Sequence, residues 1–155
     1  MALVGPVFFD TSVLLGGSIE MGPPSDAAQT LLDAVVSGKI RPAHTAWHCC
    51  LEFFAVATRL PAPVRLTPAD AVRLIETEIL TRYRVQHLPA NSYPEFLRDL
   101  PHQHVAGGRI YDAHIAEIAR LAGCRTLVTD NRRHFTVLLR HGTRVLTPAE
   151  AVAEL

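Results

Sequence analysis

Arg109-Ile110-Tyr111-Asp112-Ala113-His114-Ile115-Ala116-Glu117-Ile118-Ala119-Arg120-Leu121-Ala122-Gly123-Cys124-Arg125-Thr126-Leu127-Val128-Thr129-Asp130 is the stretch whose reading decides the fold class. From Asp112, the positions three, four and seven residues on are Ile115, Ala116 and Ala119, which form one stripe of a helix over Arg109–Leu121. Gly107-Gly108 precede that helix and Gly123 stops it. Thr126–Thr129 is a short, mostly apolar run that reads as a strand ending at Asp130. A helix that feeds a strand across so few residues is the building unit of an α/β domain.

Similar units recur outward in both directions. Gly5-Pro6 opens into a strand, Val7-Phe8-Phe9, closed by Asp10. Gly22-Pro23-Pro24-Ser25-Asp26 leads into a helix over Ala27–Val36, with Ala28, Leu31, Leu32, Val35 and Val36 at helical spacing and Ser25 or Asp26 as its cap. Ile40-Arg41-Pro42-Ala43 is expected to be a short strand, and a helix follows from about Ala46 to Arg59. Pro61-Ala62-Pro63 breaks the chain. Thr67-Pro68 starts a helix whose apolar stripe is Val72, Ile75, Ile79 and Leu80. Val85–Leu88 reads as a strand, Asn91–Leu100 as a shorter helix and Pro101-His102-Gln103-His104 as a polar loop. Arg144-Val145-Leu146 is the last strand, and Thr147-Pro148 caps a closing helix. The expectation is a single domain over residues 1–155, with a mostly parallel sheet between helices. In such sheets, ligands bind in the crevice outside the carboxyl ends of the strands.

Composition narrows the functional classes. A chain of 155 residues that is 48% hydrophobic and 19% charged reads as globular rather than disordered. Fifteen basic and fifteen acidic residues cancel, so no bulk cationic field advertises nucleic-acid binding, and any such binding needs a local patch. Lys39 is the only lysine, so the basic chemistry is arginine's, suited to phosphate and carboxylate. Cys49, Cys50 and Cys124 make neither a disulfide framework nor a zinc spacing, and read as buried thiols. Met1–Pro6 has no basic leader and no apolar run approaches the length of a membrane span, so a cytoplasmic protein is expected.

One carboxylate stands in the wrong company. Glu52 lies inside Cys49-Cys50-Leu51-Glu52-Phe53-Phe54-Ala55-Val56-Ala57, where every neighbour is apolar. A carboxylate withdrawn from water is costly unless paired, hydrogen-bonded or metal-bound. Its possible companions are Asp10 and Asp130, which close two strands at the same edge of the expected sheet, and Asp112 in the first turn of its helix. Each has a plainer reading as a helix cap or dipole partner. Bare, four such carboxylates would repel one another and their pKa values would rise. All-oxygen sites of this kind suit Mg²⁺ or Mn²⁺, and the matching chemistry is attack of water on a phosphodiester. Ser12 either donates to a phosphate or caps its helix. His102-Gln103-His104 is a weak metal motif, His114 does not share the side of Asp112, and Trp47 and the phenylalanine pairs are assigned to the core.

At these residues the chain resembles the PIN-domain nucleases, most closely the VapC-type toxins of toxin–antitoxin pairs. The matching segments are Phe9-Asp10-Thr11-Ser12, Leu51–Arg59, Gly108–Ala116 and Thr129-Asp130-Asn131-Arg132-Arg133-His134-Phe135, in order along nearly the whole chain. The resemblance implies a three-layer α/β/α fold, an acidic Mg²⁺ site and cleavage of single-stranded RNA to 5′-phosphate and 3′-hydroxyl ends. It also implies homodimers and a small cognate antitoxin. Carried over by motif, Asp10 and Asp112 are the principal metal ligands and Glu52 completes the acidic site. The fourth acidic position, four residues before Phe135, is Asn131 here, with Asp130 one residue earlier. Asp10, Asp112 and Glu52 therefore rank above the Asp130/Asn131 pair. Arg109, Arg132 and Arg133 flank the site as phosphate contacts or as ion-pair partners of its acids. Two rival readings remain: a PIN-fold metal-binding module that does not cut, and a phosphatase using Asp10 as nucleophile. The second lacks the usual acid two residues on, where Ser12 stands.

Overall fold

Five short strands form one parallel sheet: β1 Val7–Phe9, β2 Ala43–Ala46, β3 Arg84–Gln86, β4 Thr126–Val128 and β5 Arg144–Leu146. The computed structural model describes residues 2–3 and 5–155; Met1 and Val4, part of the N-terminal segment considered above for a leader, lie outside the described residues. The strand order is β3-β2-β1-β4-β5 with every pairing parallel, and helices cover both faces, as expected for an α/β/α fold.

The helices are α1 Thr11–Ser18, α2 Asp26–Val36, α3 Trp47–Ala57, α4 Pro68–Leu74, α5 Tyr93–Asp99, α6 Arg109–Leu121 and α7 Pro148–Val152. Their starts follow the sequence closely. Thr67 caps α4 through the Asp70 amide, and Thr147 and Glu150 form a reciprocal capping box on α7. Gly123 adopts φ 72°, the left-handed turn that ends α6 where the sequence places the stop. On α6, Ile115, Ala116 and Ala119 are buried as the stripe requires. Val7, Phe8 and Phe9 are fully buried at the centre of the sheet. Among the described residues no helix is long and apolar enough to cross a membrane.

Several expectations move. The second strand is Ala43–Ala46, not Ile40–Ala43, because Pro42 has no N–H to give a ladder. The Thr45 hydroxyl donates to the Phe9 carbonyl at 2.9 Å, and His44 Nδ1 meets Gln86 Nε2 at 3.0 Å, while His44 Nε2 is buried without a partner. The third strand is Arg84–Gln86 instead of Val85–Leu88. Trp47, assigned to the core, is 47% exposed at the first turn of α3, and Leu51 one turn later is 72% exposed. On α4 and the π-turn Ile75–Ile79, burial falls on Ala71 and Ile79, while Val72 and Leu80 are exposed. The polar loop after Leu100 is a 3-10 turn, Leu100–Gln103, and the unassigned residues after Asn131 form a ten-residue 3-10 segment, Arg132–His141.

The strand order carries the functional geometry. The chain winds one way through β1, β2 and β3, then returns to place β4 on the other side of β1. The crevice between β1 and β4, at their carboxyl ends, is the switch point where parallel α/β sheets bind ligands. Phe9 pairs with Val128, so the next residues, Asp10 and Thr129, enter that crevice side by side.

Candidate active site

Asp10 is the floor of the crevice. It leaves β1 at φ −73°, ψ 160° and serves as the N-cap of α1, where its Oδ1 accepts from the Thr11 amide at 2.8 Å. Its Oδ2 accepts from the Thr129 hydroxyl at 2.7 Å and from the Ser12 hydroxyl at 3.3 Å. Capping and site chemistry are thus carried by the same carboxylate. Asp10 is only 4% exposed, and its pKa is raised from 3.8 to about 6. Burial is the chief cause; the Thr129 and Thr11 hydrogen bonds pull the other way, and the charges of Glu52 and Asp112 push it higher. Three of the sequence's candidates therefore share one electrostatic field.

Glu52 and Asp112 form the helical walls. Glu52 lies on α3, whose buried face is Cys49, Cys50, Phe53 and Ala57. One of its oxygens, Oε1, is buried without an aligned hydrogen bond, although His48 Nε2 stands 3.0 Å away one turn earlier on α3. Asp112, in the first turn of α6, is part-buried with Oδ2 at 2.8 Å from His134 Nδ1 in the 3-10 segment.

Behind His48 a polar chain ties the helices together. His48 Nδ1 is 2.8 Å from His114 Nδ1, and His114 Nε2 is 2.9 Å from the Tyr93 hydroxyl. With neutral rings, one proton arrangement is consistent with both hydrogen bonds. Tyr93 donates to His114 Nε2, His114 Nδ1–H donates to His48 Nδ1, and His48 Nε2–H faces Glu52. Burial, with His48 adding to it, lowers the His114 pKa and favours the neutral ring. The chain joins α3, α5 and α6, so it braces the helices that carry Glu52 and Asp112.

Asp130 and Asn131 stand further out. Asp130 is exposed, and its amide donates to Ser12 Oγ at 3.2 Å; burial of its carboxyl nonetheless raises its pKa. It caps no helix: Asn131 precedes the 3-10 segment, and its side chain makes no cap bond. The Asn131 amide donates to Thr129 Oγ1 at 3.0 Å. The residue from this strand end that touches Asp10 is Thr129, which the sequence pattern contains but does not single out. His48 escapes sequence reasoning as well, though it lies one helical turn before Glu52, and His114 and His134 draw no role there. Arg132 is engaged with Glu150.

Among the described residues, no three His, Cys, Asp or Glu side chains stand together as a finished metal-ligand set. The donors present still suit a hard cation. They are carboxylate oxygens in one field, one of them buried without an aligned hydrogen bond, with a buried acid whose pKa is raised chiefly by burial and further by the charges of Glu52 and Asp112. Cys49 is buried beneath the site with its thiol pushed up to about 12, so it stays protonated and offers no soft ligand.

Comparison with known proteins identifies the family and the fold. The family model described as the PIN domain matches residues 6–133. Ribonuclease VapC40 of Mycobacterium tuberculosis is 34% identical over 123 residues, covering 79% of this chain and 85% of that protein. Among solved structures, FitAB bound to a DNA fragment superposes with a TM-score of 0.65 at 15% identity, over 92% of this chain and 94% of that one. VapC20 of M. tuberculosis, described as a sarcin-ricin loop cleaving toxin, superposes with a TM-score of 0.59 at 20% identity, over 78% of this chain and 86% of that one. These two likenesses are of fold.

Proposed function

The chain belongs to the PIN-domain family, and we propose that within it the protein is a cytoplasmic, metal-dependent endoribonuclease that cuts single-stranded RNA as the toxin of a toxin–antitoxin pair. The observation that carries this reading is Asp10, a buried carboxylate at the sheet's switch point. Its pKa of about 6 reflects burial and the negative charge of Glu52 and Asp112. Metal-free, the site carries an electrostatic strain that a cation removes.

Asp10 and Asp112 would hold Mg²⁺ or Mn²⁺, with Glu52 completing the acidic ring. When bound, such a cation activates water at neutral pH and neutralises charge on a phosphodiester in in-line displacement. The residues of the chain do the rest. Thr11, Ser12 and Thr129 fix both oxygens of Asp10, so its orientation does not depend on the ligand. His134 and His48 stand against Asp112 and Glu52 and hold the helical carboxylates near the crevice. Ser12, Asp130 and Asn131 line its outer edge as supporting groups. The exposed Trp47 and Leu51 on α3, with Tyr111 beside His48, give an apolar face for the protein partners this reading implies, a second copy of the chain and a small antitoxin.

Purified protein with Mg²⁺ is expected to cleave single-stranded RNA, leaving 5′-phosphate ends, and EDTA is expected to stop it. Magnesium binding by calorimetry with no cleavage of total RNA would instead identify a non-cutting metal module.

A further inference from the structure

A second feature adjoins the acidic site through His134. A groove of about 250 Å³ lies between the turn bearing His102 and His104, the start of α6 at Arg109, and the 3-10 segment at His134 and Arg140. His134 is shared: it forms part of this wall while its Nδ1 stands 2.8 Å from Asp112 Oδ2. The groove therefore opens beside one of the carboxylates assigned to the metal.

Its chemistry is one-sided. The lining holds two arginines and three histidines and no carboxylate. Five other arginines are committed to carboxylates: Arg73 to Asp70, Arg82 to Glu78, Arg120 to Glu117, Arg132 to Glu150 and Arg144 to Glu154. Among the described residues Arg109 and Arg140 make no ion pair, so two guanidinium groups converge on one groove in a chain with no net charge to spread. The turn is also conformationally unusual. His104 adopts φ 54°, the left-handed region that a β-carbon disfavours, and it is the only non-glycine residue among those described to do so. Backbone held in that region tends to cluster at ligand-binding segments.

We propose that this groove binds the phosphodiester backbone of the RNA strand next to the cleaved bond, with Arg109 and Arg140 each contacting a phosphate. The proposal rests on the nuclease reading of the acidic site and adds the path of the strand. Guanidinium groups match phosphate oxygens in a fork geometry, and such contacts position a strand without reading its bases. Binding through two phosphates releases condensed counterions, which makes its contribution measurable by salt.

The test is binding of the full chain to a fluorescein-labelled single-stranded RNA in EDTA, by anisotropy over a series of NaCl concentrations. The double substitution Arg109→Gln/Arg140→Gln is expected to weaken binding at low salt by at least about tenfold. It is also expected to reduce the slope of log K against log[NaCl] by about 1.4, since each phosphate neutralised on a single strand contributes roughly 0.7. Arg109→Lys/Arg140→Lys keeps the charge and should hold the wild-type slope. Arg73→Gln/Arg82→Gln removes the same charge from a different surface and should leave the slope unchanged. An unchanged slope in the groove variant, an equal change in the control pair, or no RNA binding by the wild type would each overturn the groove. Absence of cleavage by wild type with Mg²⁺ alongside the expected slope change would overturn the nuclease reading and leave the groove standing.

Discussion

On the sheet side of the acidic site, Asp10 is buried and receives the Thr11 amide and the hydroxyls of Ser12 and Thr129. On the helical side, Glu52 and Asp112 are part-exposed, and each faces one histidine, His48 at 3.0 Å and His134 at 2.8 Å. Neutral donors that cannot leave hold the first; ring nitrogens on separate elements stand beside the other two. The sheet side is therefore preorganised around a charge that costs free energy to keep, and the helical side is a brace built from the side-chain contacts of His48 on α3 with His114 and Tyr111 on α6. Substitutions on the two sides should fail in different ways.

The largest effect belongs to Asp10. Asp10→Asn is expected to reduce RNA cleavage by at least about a thousandfold, the scale of several kcal/mol that metal-assisted chemistry supplies. It should also stabilise the metal-free protein at neutral pH. The folded pKa of Asp10 lies near 6 against 3.8 for an ordinary Asp. Because it is raised, stability from the neutral carboxyl is fully present below about pH 4 and is lost as pH rises through about 6. That loss is about 3 kcal/mol at about 1.4 kcal/mol per pKa unit. The amide cannot accept from Thr129 and Ser12 as a carboxylate does, so a net gain of about 1–2 kcal/mol at pH 7 is expected, vanishing at pH 4. Urea unfolding in EDTA at the two pH values measures it. Equal activity in the variant, or destabilisation at pH 7, would erase the proposed contrast between the two sides.

The helical side should break mechanically instead. His114→Ala removes the partner of both His48 Nδ1 and the Tyr93 hydroxyl, along with a ring 5.7 Å from that of Phe96. The exposed Tyr93 hydroxyl can turn to water, but His48 Nδ1 is part-buried and, left unpaired, costs about 1–3 kcal/mol, so the urea midpoint should fall by the corresponding amount at every pH between 6 and 8. Glu52 loses its brace, and cleavage should drop about tenfold through kcat, with little change in KM. A wild-type midpoint and rate in this variant would show that α3 and α6 are held together without the histidines.

The two sides differ in how legible they are from sequence, for physical reasons. Asp10 stands out because a fully apolar strand, Val7-Phe8-Phe9, ends on a carboxylate, and Glu52 because nothing around it is polar. Helix ends at Thr67, Gly123 and Thr147 are readable because capping is local. The second strand is displaced from its expected place because His44 and Thr45 look like loop residues; only the partners Gln86 and Phe9, brought in by the fold, make them compatible with burial. The 3-10 segment Arg132–His141 does place Phe135 and Leu138 on one buried side, but the groove beside it is made by packing that segment against the turn at His102 and the start of α6, which no local pattern shows. The His48–His114 pair joins residues 66 apart in sequence, beyond any local signal. Thr129 is hidden by its neighbours: Asp130 and Asn131 draw attention to the acidic position, while the hydroxyl just before them reaches Asp10.

The smallest and most discriminating change is therefore Thr129→Val. The side chain is fully buried and the replacement nearly isosteric, so packing is conserved while two hydrogen bonds disappear, to Asp10 Oδ2 and from the Asn131 amide. A hydrogen bond donated to a carboxylate stabilises its charged form and lowers its pKa. Without it, Asp10 should titrate above its present value of about 6, moving the pH midpoint of metal-free stability upward by on the order of one unit. Below pH 4, where Asp10 is neutral in both proteins, the variant should differ from wild type only by the two neutral hydrogen bonds it lacks, to Asp10 and from the Asn131 amide, about 1 kcal/mol each. Magnesium should then need a several-fold higher concentration at pH 6.5, because binding has to displace a proton that wild type more often lacks. Thr129→Ser restores the hydroxyl and should restore the midpoint. A midpoint that stays in place in Thr129→Val would mean that the hydroxyl only fills space, and that the sheet side is no more tuned to a charged Asp10 than the helical side is.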